Sequence, residues 1–364
     1  MSLSSATSFL KDSYSSSESR SAKAISDIHF KVGRPPLRRL HGRLASTDMP
    51  VLKPVDTEAI AAKLLDSTNR EQFEKNHQVE TSFSISGLAR FRASIFKQRR
   101  TTSIVMRIIP HKVPTLDELR IPPTVKKIAE YNRGLVLVTG ITGSGKSSTL
   151  AGMIRHMNEK YPYHIVTIED PIEFLHKDIC SSIVQREIGD DATDYASAFN
   201  ASLRQDPDII MVGEMRDMDT MSTALRAAET GHLVLSTIHT TDAKETIGRF
   251  IDTFPTHQQN QIRIQLAANL RAVISQHLLN MKDNGGLILA TEILIVNAAV
   301  RDMIQHPELG NDFIEHMVKE HDQYGMCTFD QSIIELLDKG LITEEEALSN
   351  ATNENDMRLR MSLK

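Results

Sequence analysis

The chain has 364 residues, 40% of them hydrophobic, with no tryptophan and only two cysteines. This length allows two or three domains, and the composition is ordinary for an α/β protein. Two cysteines cannot form a four-cysteine zinc site and allow at most one disulfide, so we expect a reducing cytosol. No apolar run reaches the length of a membrane span, and the amino terminus lacks the basic start and apolar core of a secretory signal.

The net charge of −5 is unevenly distributed along the chain. Residues 1–121 carry 20 Lys and Arg against 12 Asp and Glu, a net of +8, whereas residues 122–364 carry 22 against 35, a net of −13. Either the two parts have unrelated surfaces, or the basic part docks on the acidic part of a neighbouring copy through complementary fields. We expect no nucleic-acid partner, because the protein is acidic overall and has no basic stretch interleaved with aromatic residues.

The first 110 residues predict a tail followed by a small α+β domain. Residues 1–23 are rich in serine and have little apolar periodicity, which predicts a disordered tail. Residues 24–110 predict several strands and a helix that starts at an Asp56 cap. The prolines at positions 110, 114, 122 and 123 lie in and around residues 111–121, which predicts a linker there. The predicted strands cover residues 26–32, 37–41, 79–86, 88–97 and 102–109.

Residues 122–364 predict a second domain in which strands alternate with helices. This succession is typical of a mostly parallel sheet with helices on both faces. Thr256 and Thr343 are predicted helix caps, because Gln or Glu follows each of them three residues later. Helices are predicted to dominate after the last strand and to fill the final 65 residues. The predicted strands cover residues 135–139, 164–168, 209–212 and 233–237.

Residues 140–147 match the phosphate-loop pattern G-x-x-x-x-G-K-[ST] at every fixed position. The segment lies between a predicted buried strand and a predicted helix, which is the setting this pattern requires. Backbone N–H groups would close on phosphate oxygens, Lys146 would reach the β- and γ-phosphates, and the Ser147 hydroxyl would ligate Mg²⁺. The sequence therefore predicts a nucleoside triphosphate site. The predicted binding residues are Gly140, Thr142, Gly143, Ser144, Gly145, Lys146, Ser147 and Ser148.

Two predicted strand ends carry carboxylates to the edge of the sheet where α/β proteins bind ligands. Glu214 follows one strand and is predicted to orient or deprotonate the attacking water, although a solvated strand-end glutamate is the alternative. Glu169, Asp170 and Glu173 follow another strand. Clustered carboxylates repel one another unless a cation or an arginine lies between them, so a role around Mg²⁺ or an incoming arginine is favoured over a plain surface turn.

Histidines and arginines complete the set of candidate residues. His232 and His239 bracket the last predicted strand, so they lie at its opposite ends and should not share a metal. His239, at the carboxyl end, either senses phosphate or is a structural histidine. Arg90, Arg92 and Arg107 lie on strands of the first domain, where they are either solvated or supplied to the γ-phosphate of another subunit.

These motifs together resemble one family, the secretion ATPases of type IV pili. Specifically, the chain is similar to the retraction, or twitching-motility, branch that contains PilT and PilU, from about residue 24 to the carboxyl terminus. The motifs in family order are SDIH at 26–29, GLARFR at 87–92, the phosphate loop, TIEDPIE at 167–173, GEMRD at 213–217, AETGH at 228–232 and STIHTT at 236–241. Residues 299–330 lack the S-x-I-Q-T-G signature of PilT, and with residues 353–360 they are more similar to PilU, the accessory motor.

The resemblance implies a cytoplasmic homohexamer that hydrolyses ATP with Mg²⁺ to power pilus retraction. The implied fold is α/β, with a PAS-like α+β N-terminal domain, a RecA-like P-loop NTPase core and a helical C-terminal region. Each N-terminal domain would dock on the core of the next subunit. The implied partners are an inner-membrane platform protein and a second retraction ATPase, so that membrane attachment occurs through proteins alone.

The resemblance also assigns roles to individual positions. Residues 140–148 match the Walker A loop, Glu214 matches the catalytic Walker B glutamate, and His232 and His239 belong to the His box. Metal-binding roles are expected for Ser147, Glu169, Asp170, Glu173 and Glu214. Catalytic roles are expected for Lys146, Glu169, Glu214, His239, Arg90, Arg92 and Arg107.

Three alternatives stay open from the sequence, and the third of them is a RecA-like nucleic-acid motor that would use the basic first domain. A pilus extension or type II secretion ATPase would share the core but generally carries a four-cysteine insertion and a longer N-terminal region. An ATP-binding scaffold with little turnover is the second alternative, and the intact Lys146, Ser147 and Glu214 favour an enzyme over it.

Overall fold

The computed structural model describes residues 25–40, 43–85, 89–109, 112–282, 286–307 and 313–362. The chain divides into two compact units, Met1–Lys112 and Val113–Lys364. Both units combine strands with helices, which confirms the predicted α/β class, whereas the predicted tail lies outside the described residues. Within the described ranges, no helix has the length and apolar character needed to cross a membrane.

The first unit is built on an antiparallel six-stranded sheet in the order β3-β2-β1-β6-β5-β4. Alternate strand residues such as Ile28, Phe91 and Met106 are buried with Ile60 and Phe73 of the two helices, so the helices cover one face of the sheet. The elements are β1 Asp27–Phe30, β2 Leu37–Leu40, β3 Arg43–Ser46, α1 Pro54–Leu64, α2 Ser67–Asn76, β4 Gln78–Ile85, β5 Ala89–Gln98 and β6 Thr101–Ile109.

Three details of the first unit differ from the sequence-based predictions. The helix α1 begins at Pro54, and Asp56 lies inside its first turn, where the carboxylate accepts the Lys53 N–H at 2.8 Å. The predicted Asp56 cap is therefore wrong, because proline takes the first helical position. The strand β3 and the helix α2 were not predicted, since β3 is short and mostly exposed and α2 buries only Phe73.

The second unit is built on a seven-stranded sheet in the order β13-β12-β7-β11-β10-β8-β9. All neighbouring pairs are parallel except β12 with β13, and two clusters of buried apolar residues fill the two faces. The four predicted strands are confirmed. The strands are β7 Gly134–Thr139, β8 His164–Glu169, β9 Ser182–Glu187, β10 Ile209–Val212, β11 Leu233–Ile238, β12 Leu270–Asn280 and β13 Leu287–Ile295.

The helices of the second unit pack on both faces of this sheet. Three of them begin at aspartate caps, Asp194, Asp217 and Asp242, each of which accepts an N–H from three residues ahead. The helices are α3 Pro123–Ala129, α4 Lys146–Lys160, α5 Tyr195–Ser202, α6 Met218–Glu229, α7 Ala243–Asp252, α8 Thr256–Asn269, α9 Ala298–Gln305, α10 Phe313–Lys319, α11 His321–Tyr324, α12 Phe329–Asp338, α13 Glu344–Ser349 and α14 Glu354–Ser362.

The main correction in the second unit is the antiparallel hairpin of β12 and β13, where helices were expected to dominate. Both strands are buried over most of their length, so they lack the polar–apolar alternation that identifies a half-buried strand. The predicted cap at Thr256 is wrong. Thr256 is the first residue of the helix itself, and the residue at the capping position is Pro255, whose side chain cannot accept an N–H. The cap at Thr343 is confirmed, and helices dominate the described part of the final 65 residues.

The segment predicted as a linker packs with the second unit from Val113 onward. Val113, Leu116 and Ile121 are buried, and the last two belong to the apolar cluster beneath α3 and α4.

Candidate functional site

The glycine-rich loop joins β7 to α4 and has the backbone that a phosphate site needs. Gly140, Gly143 and Gly145 have φ of 139°, 84° and 92°, which other residues rarely adopt. A Cβ at Gly140 would also lie 2.5 Å from the Gln276 carbonyl oxygen. Gly145 caps α4 without a side-chain hydrogen bond, so the first N–H groups of this 15-residue helix have no side-chain acceptor and can bind an anion.

Lys146 is a buried ammonium group at the centre of this loop. The residue is only 8% exposed, and its Nζ donates to the carbonyl oxygens of Gly140 and Ile141 at 2.7 and 3.0 Å. Burial lowers the pKa of Lys146, and the charge of Glu214 acts in the opposite direction. None of the ion pairs among the described residues includes Lys146. A buried cation without an ionic partner fits a site for a phosphate anion.

Glu214 and His239 meet Lys146 at the carboxyl edge of the sheet. Glu214 follows β10 and His239 follows β11, and the order β7-β11-β10 makes these strand ends neighbours of the phosphate loop. The His239 Nδ1 lies 3.5 Å from Lys146 Nζ, and its Nε2 lies 3.2 Å from Glu214 Oε1. The other Glu214 oxygen accepts a hydrogen bond from Arg216 at 2.7 Å. These three predicted residues therefore lie together.

Hydrogen bonds and neighbouring charge keep the Glu214 carboxylate ionised. Burial raises the pKa of Glu214, but the Arg216 guanidinium and His239 outweigh that effect, so the pKa lies below its ordinary value. An ionised carboxylate can accept a hydrogen bond from an attacking water.

The acidic residues at the end of β8 and just after it have different environments. Glu169 is 7% exposed and accepts hydrogen bonds from the Thr167 hydroxyl at 2.7 Å and the Gln185 amide at 3.1 Å, and burial raises its pKa. Asp170 and Glu173 are exposed. In the part of the chain that the structure describes, no three His, Cys, Asp or Glu side chains come together as a metal site. This arrangement fits Mg²⁺, which keeps several waters and binds phosphate oxygens with few protein ligands.

His232 is not part of this group. Its ring lies at the amino end of β11, where Nδ1 is 3.0 Å from the Ala227 carbonyl oxygen and 3.2 Å from the Thr230 hydroxyl. His232 and His239 therefore lie at opposite ends of the strand, as predicted.

Arg90, Arg92 and Arg107 lie in the first unit, on the sheet face opposite the helices. Arg92 is paired with Arg107 in the register of β5 and β6, whereas Phe91 is fully buried on the other face. Each guanidinium has a polar partner in the same sheet. The hydrogen bonds run from Arg90 to Ser82 at 2.8 Å, from Arg92 to Glu80 at 3.1 and 2.5 Å, and from Arg107 to Asp27 at 3.1 Å.

Comparison with known proteins agrees with this geometry. The family model for type II/IV secretion system proteins matches residues 15–323. The type IV pilus retraction ATPase PilT of Pseudomonas aeruginosa is 41% identical over 90% of this chain and 95% of its own length. The type IV pilus ATPase PilU of the same organism is 37% identical over 94% and 89%. A crystal structure of the pilus retraction motor PilT with bound ADP has a TM-score of 0.85, 42% identity, and coverage of 92% and 95%.

This chain belongs to the type II/IV secretion system protein family. Within this family it falls in the group that contains the PilT and PilU pilus ATPases, and it is an ATP hydrolase that binds nucleotide.

Two further residues of this secretion-family ATPase contact the candidate site. Tyr195 carried no sequence signal, whereas Arg216 lies within the GEMRD motif at 213–217 but was given no role. Arg216 donates to Glu214. The Tyr195 hydroxyl lies near the end of β10, 3.0 Å from the position that a Cβ on Gly213 would occupy. Burial raises the pKa of Tyr195, and the charges of Asp170 and Glu214 raise it further. The tyrosine thus stays neutral, and its hydroxyl can donate a hydrogen bond at this edge of the sheet.

A cavity of about 350 Å³ adjoins the phosphate loop in the second unit. It is bordered by Gly145 and Ser148 of the loop and helix, and by Ile121, Leu278 and Leu289. Its apolar walls next to a phosphate loop fit the base and sugar of a nucleotide.

Another buried carboxylate of this ATPase, Glu292 in β13, was not predicted to matter. It is 6% exposed and accepts the Ala243 N–H at 2.9 Å. Burial raises its pKa to about 7, and the Asp242 and Asp330 carboxylates add to this effect against the backbone hydrogen bonds that lower it.

This pKa predicts a pH-dependent stability. Because the pKa in the folded protein exceeds the ordinary value of 4.5, the protonated group contributes stability at low pH that is lost as the pH rises through 7. Between pH 5 and pH 8, we expect the free energy of unfolding of the parent to fall by about 2–3 kcal/mol relative to Glu292→Gln. Urea unfolding at both pH values measures this difference. A parent-minus-variant difference that does not change with pH would contradict the assignment.

Proposed function

We propose that this ATPase is a hexameric motor that hydrolyses Mg·ATP at its subunit boundaries to power the retraction of type IV pili. The observation that carries the proposal is the group formed by the buried Lys146 ammonium, His239 and the ionised Glu214 at the phosphate loop. The names of the relatives support the pilus assignment. We further propose that the protein works in the cytoplasm, without nucleic acid.

The loop N–H groups and Lys146 would hold the β- and γ-phosphates, and the adjacent apolar cavity would take the base. Bound Mg²⁺ would neutralise charge that develops on the phosphates, with Ser147 as a ligand and Glu169, Asp170 and Glu173 around its waters. Glu214 would orient the attacking water. His239 would hold the Glu214 carboxylate and follow the state of the γ-phosphate through its contact with Lys146.

We assign Arg90, Arg92 and Arg107 to the nucleotide of a neighbouring subunit. They lie on the exposed sheet face of a part of the chain with net charge +8, and the nucleotide site lies in the part with net charge −13. Complementary charge would favour docking of the first domain on the core of the next copy. The same contact, repeated from copy to copy, would close into a ring. Asp27 and Glu80 would then hold Arg107 and Arg92 in position before they reach phosphate.

This arrangement predicts that two variants, each inactive alone, regain ATPase activity when they are mixed in one ring. Arg107→Ala should lower kcat at least about 100-fold, because an arginine supplied in trans contributes 10³–10⁵ in related chemistry. Glu214→Gln should also be inactive. In mixed rings, about a quarter of the boundaries would combine an intact Glu214 with an intact Arg107, so phosphate release should return. Arg43→Ala, on the exposed strand β3 of the same unit, serves as the control. Failure of the mixture to regain activity would place the arginine outside the neighbouring site.

We propose the accessory, PilU-like type within the retraction branch, acting beside a second retraction ATPase on an inner-membrane platform protein. The support is the sequence of residues 299–330 and 353–360, which lacks the S-x-I-Q-T-G signature. The identities of 41% and 37% do not separate the two types. Expression in Pseudomonas aeruginosa tests the assignment: the chain should restore twitching to a strain without PilU but not to a strain without PilT. The reverse pattern would assign it to the PilT type.

A further inference from the structure

Glu292 lies between the amino-terminal ends of two helices. Its Oε1 accepts the N–H of Ala243, the first residue of α7, at 2.9 Å, and the N–H of Phe329, the first residue of α12, is close enough to the carboxylate to lower its pKa. These two N–H groups belong to elements that are far apart in the chain. Each helix terminus carries positive potential, which offsets part of the cost of burying a carboxylate here.

The α7 end is tied to the nucleotide site. Only three residues separate His239 from Ala243, and side-chain bonds tie them to the first turn of α7. Thr240 and Thr246 share a hydrogen bond of 2.6 Å, and Glu245 accepts the Thr241 N–H at 2.7 Å. A displacement of His239 by nucleotide would therefore move the start of α7 with it.

The α12 end is tied to the outer strand of the sheet. Ile293 and Cys327 exchange backbone hydrogen bonds of 2.7 and 3.1 Å, and the Ser332 hydroxyl accepts the Thr291 N–H at 3.1 Å. The start of α12 is thus fixed to β13 on both sides of Glu292. The helices α13 and α14 follow α12, so its position sets that of the C-terminal region.

We propose that Glu292 is a positioning residue that transmits the nucleotide state from the His239 segment to α12 and the C-terminal helices. It contacts no substrate and acts through the Ala243 N–H that it accepts and the Phe329 N–H that lies beside its carboxylate. This inference rests on the proposed nucleotide site. The coupling needs both carboxylate oxygens: in Glu292→Gln one oxygen remains, and the amide N–H₂ would face a backbone N–H donor.

Amide hydrogen exchange on the full chain, with and without Mg·ATPγS, tests the coupling. In the parent we expect nucleotide to slow exchange in residues 140–147 and to change exchange in residues 327–332 by about threefold or more. In Glu292→Gln the phosphate loop should respond as in the parent, while the response of residues 327–332 should be lost. The matched control is Glu335→Gln, an exposed α12 glutamate paired with Lys339, and it should behave as the parent.

A second variant removes one donor instead of the acceptor. Ala243→Pro deletes the N–H at the first position of α7, where proline is tolerated, and Asp242 already has the extended backbone that precedes proline. It should uncouple residues 327–332 in the same way. The coupling is wrong, and the nucleotide site stands, if the loop responds in the parent but exchange in residues 327–332 does not change. The same conclusion holds if residues 327–332 respond in both variants as strongly as in the parent. If the loop itself does not respond in the parent, the proposed site is wrong and the coupling falls with it.

Discussion

Lys146→Ala is expected to abolish the binding of Mg·ATP, with an affinity loss of at least about 100-fold, or ~3 kcal/mol. Lys146 is the buried ammonium at the centre of the loop, and its Nζ is positioned by two loop carbonyl oxygens. Without it, only the helix amino terminus and Mg²⁺ would balance the charge of three phosphates in a largely desolvated site. Removal of the cation therefore costs at least about 3 kcal/mol of the binding free energy.

Equilibrium titration with a fluorescent, non-hydrolysable ATP analogue in the presence of Mg²⁺ measures this loss. Lys160→Ala is the matched control, because Lys160 lies at the other end of the same helix and pairs with Glu130 on the surface. The control should bind within about twofold of the parent, since exposed ion pairs contribute little. An affinity for Lys146→Ala within threefold of the parent would show that the triphosphate lies elsewhere.

Glu214→Gln is expected to lower kcat by about 10²–10⁴-fold while nucleotide affinity stays close to that of the parent. Glutamine matches the shape of the side chain but cannot accept a proton or hold a water as a carboxylate does. Because Arg216 and His239 hold the pKa of Glu214 below its ordinary value, the carboxylate is a weak base, and we infer that it mainly orients the water.

Phosphate release at saturating Mg·ATP measures this effect, with Glu229→Gln at the end of α6 as an exposed control. A variant that keeps more than about half of the parent rate would remove Glu214 from the chemistry.

Much of the catalytic edge could be predicted from the sequence because its signals are local. The pattern of residues 140–147 specifies a strand, a glycine turn and a helix, and Glu214 and His239 each follow a short apolar run that could only be a strand. The place where they meet depends on the order β7-β11-β10, which no local pattern specifies. That they lie at one edge of the sheet follows from the rule that parallel strands bind ligands at their carboxyl ends.

Other features could not be predicted because they join distant parts of the chain. Asp27 pairs with Arg107, 80 residues away, and Glu292 accepts the N–H of Ala243, 49 residues away. The hairpin of β12 and β13 was missed because strands buried on both faces show no alternation. Charge pattern and periodicity report one element at a time, so contacts of this kind appear only in the folded chain.

The most direct measurement is a calorimetric titration of the parent protein with Mg·ATPγS, followed on the same preparation by phosphate release from Mg·ATP. Tight binding of the analogue, sensitive to Lys146→Ala, together with steady phosphate release is the result that a working phosphate-loop ATPase requires. Well-folded protein that yields no heat of binding and no phosphate would contradict it.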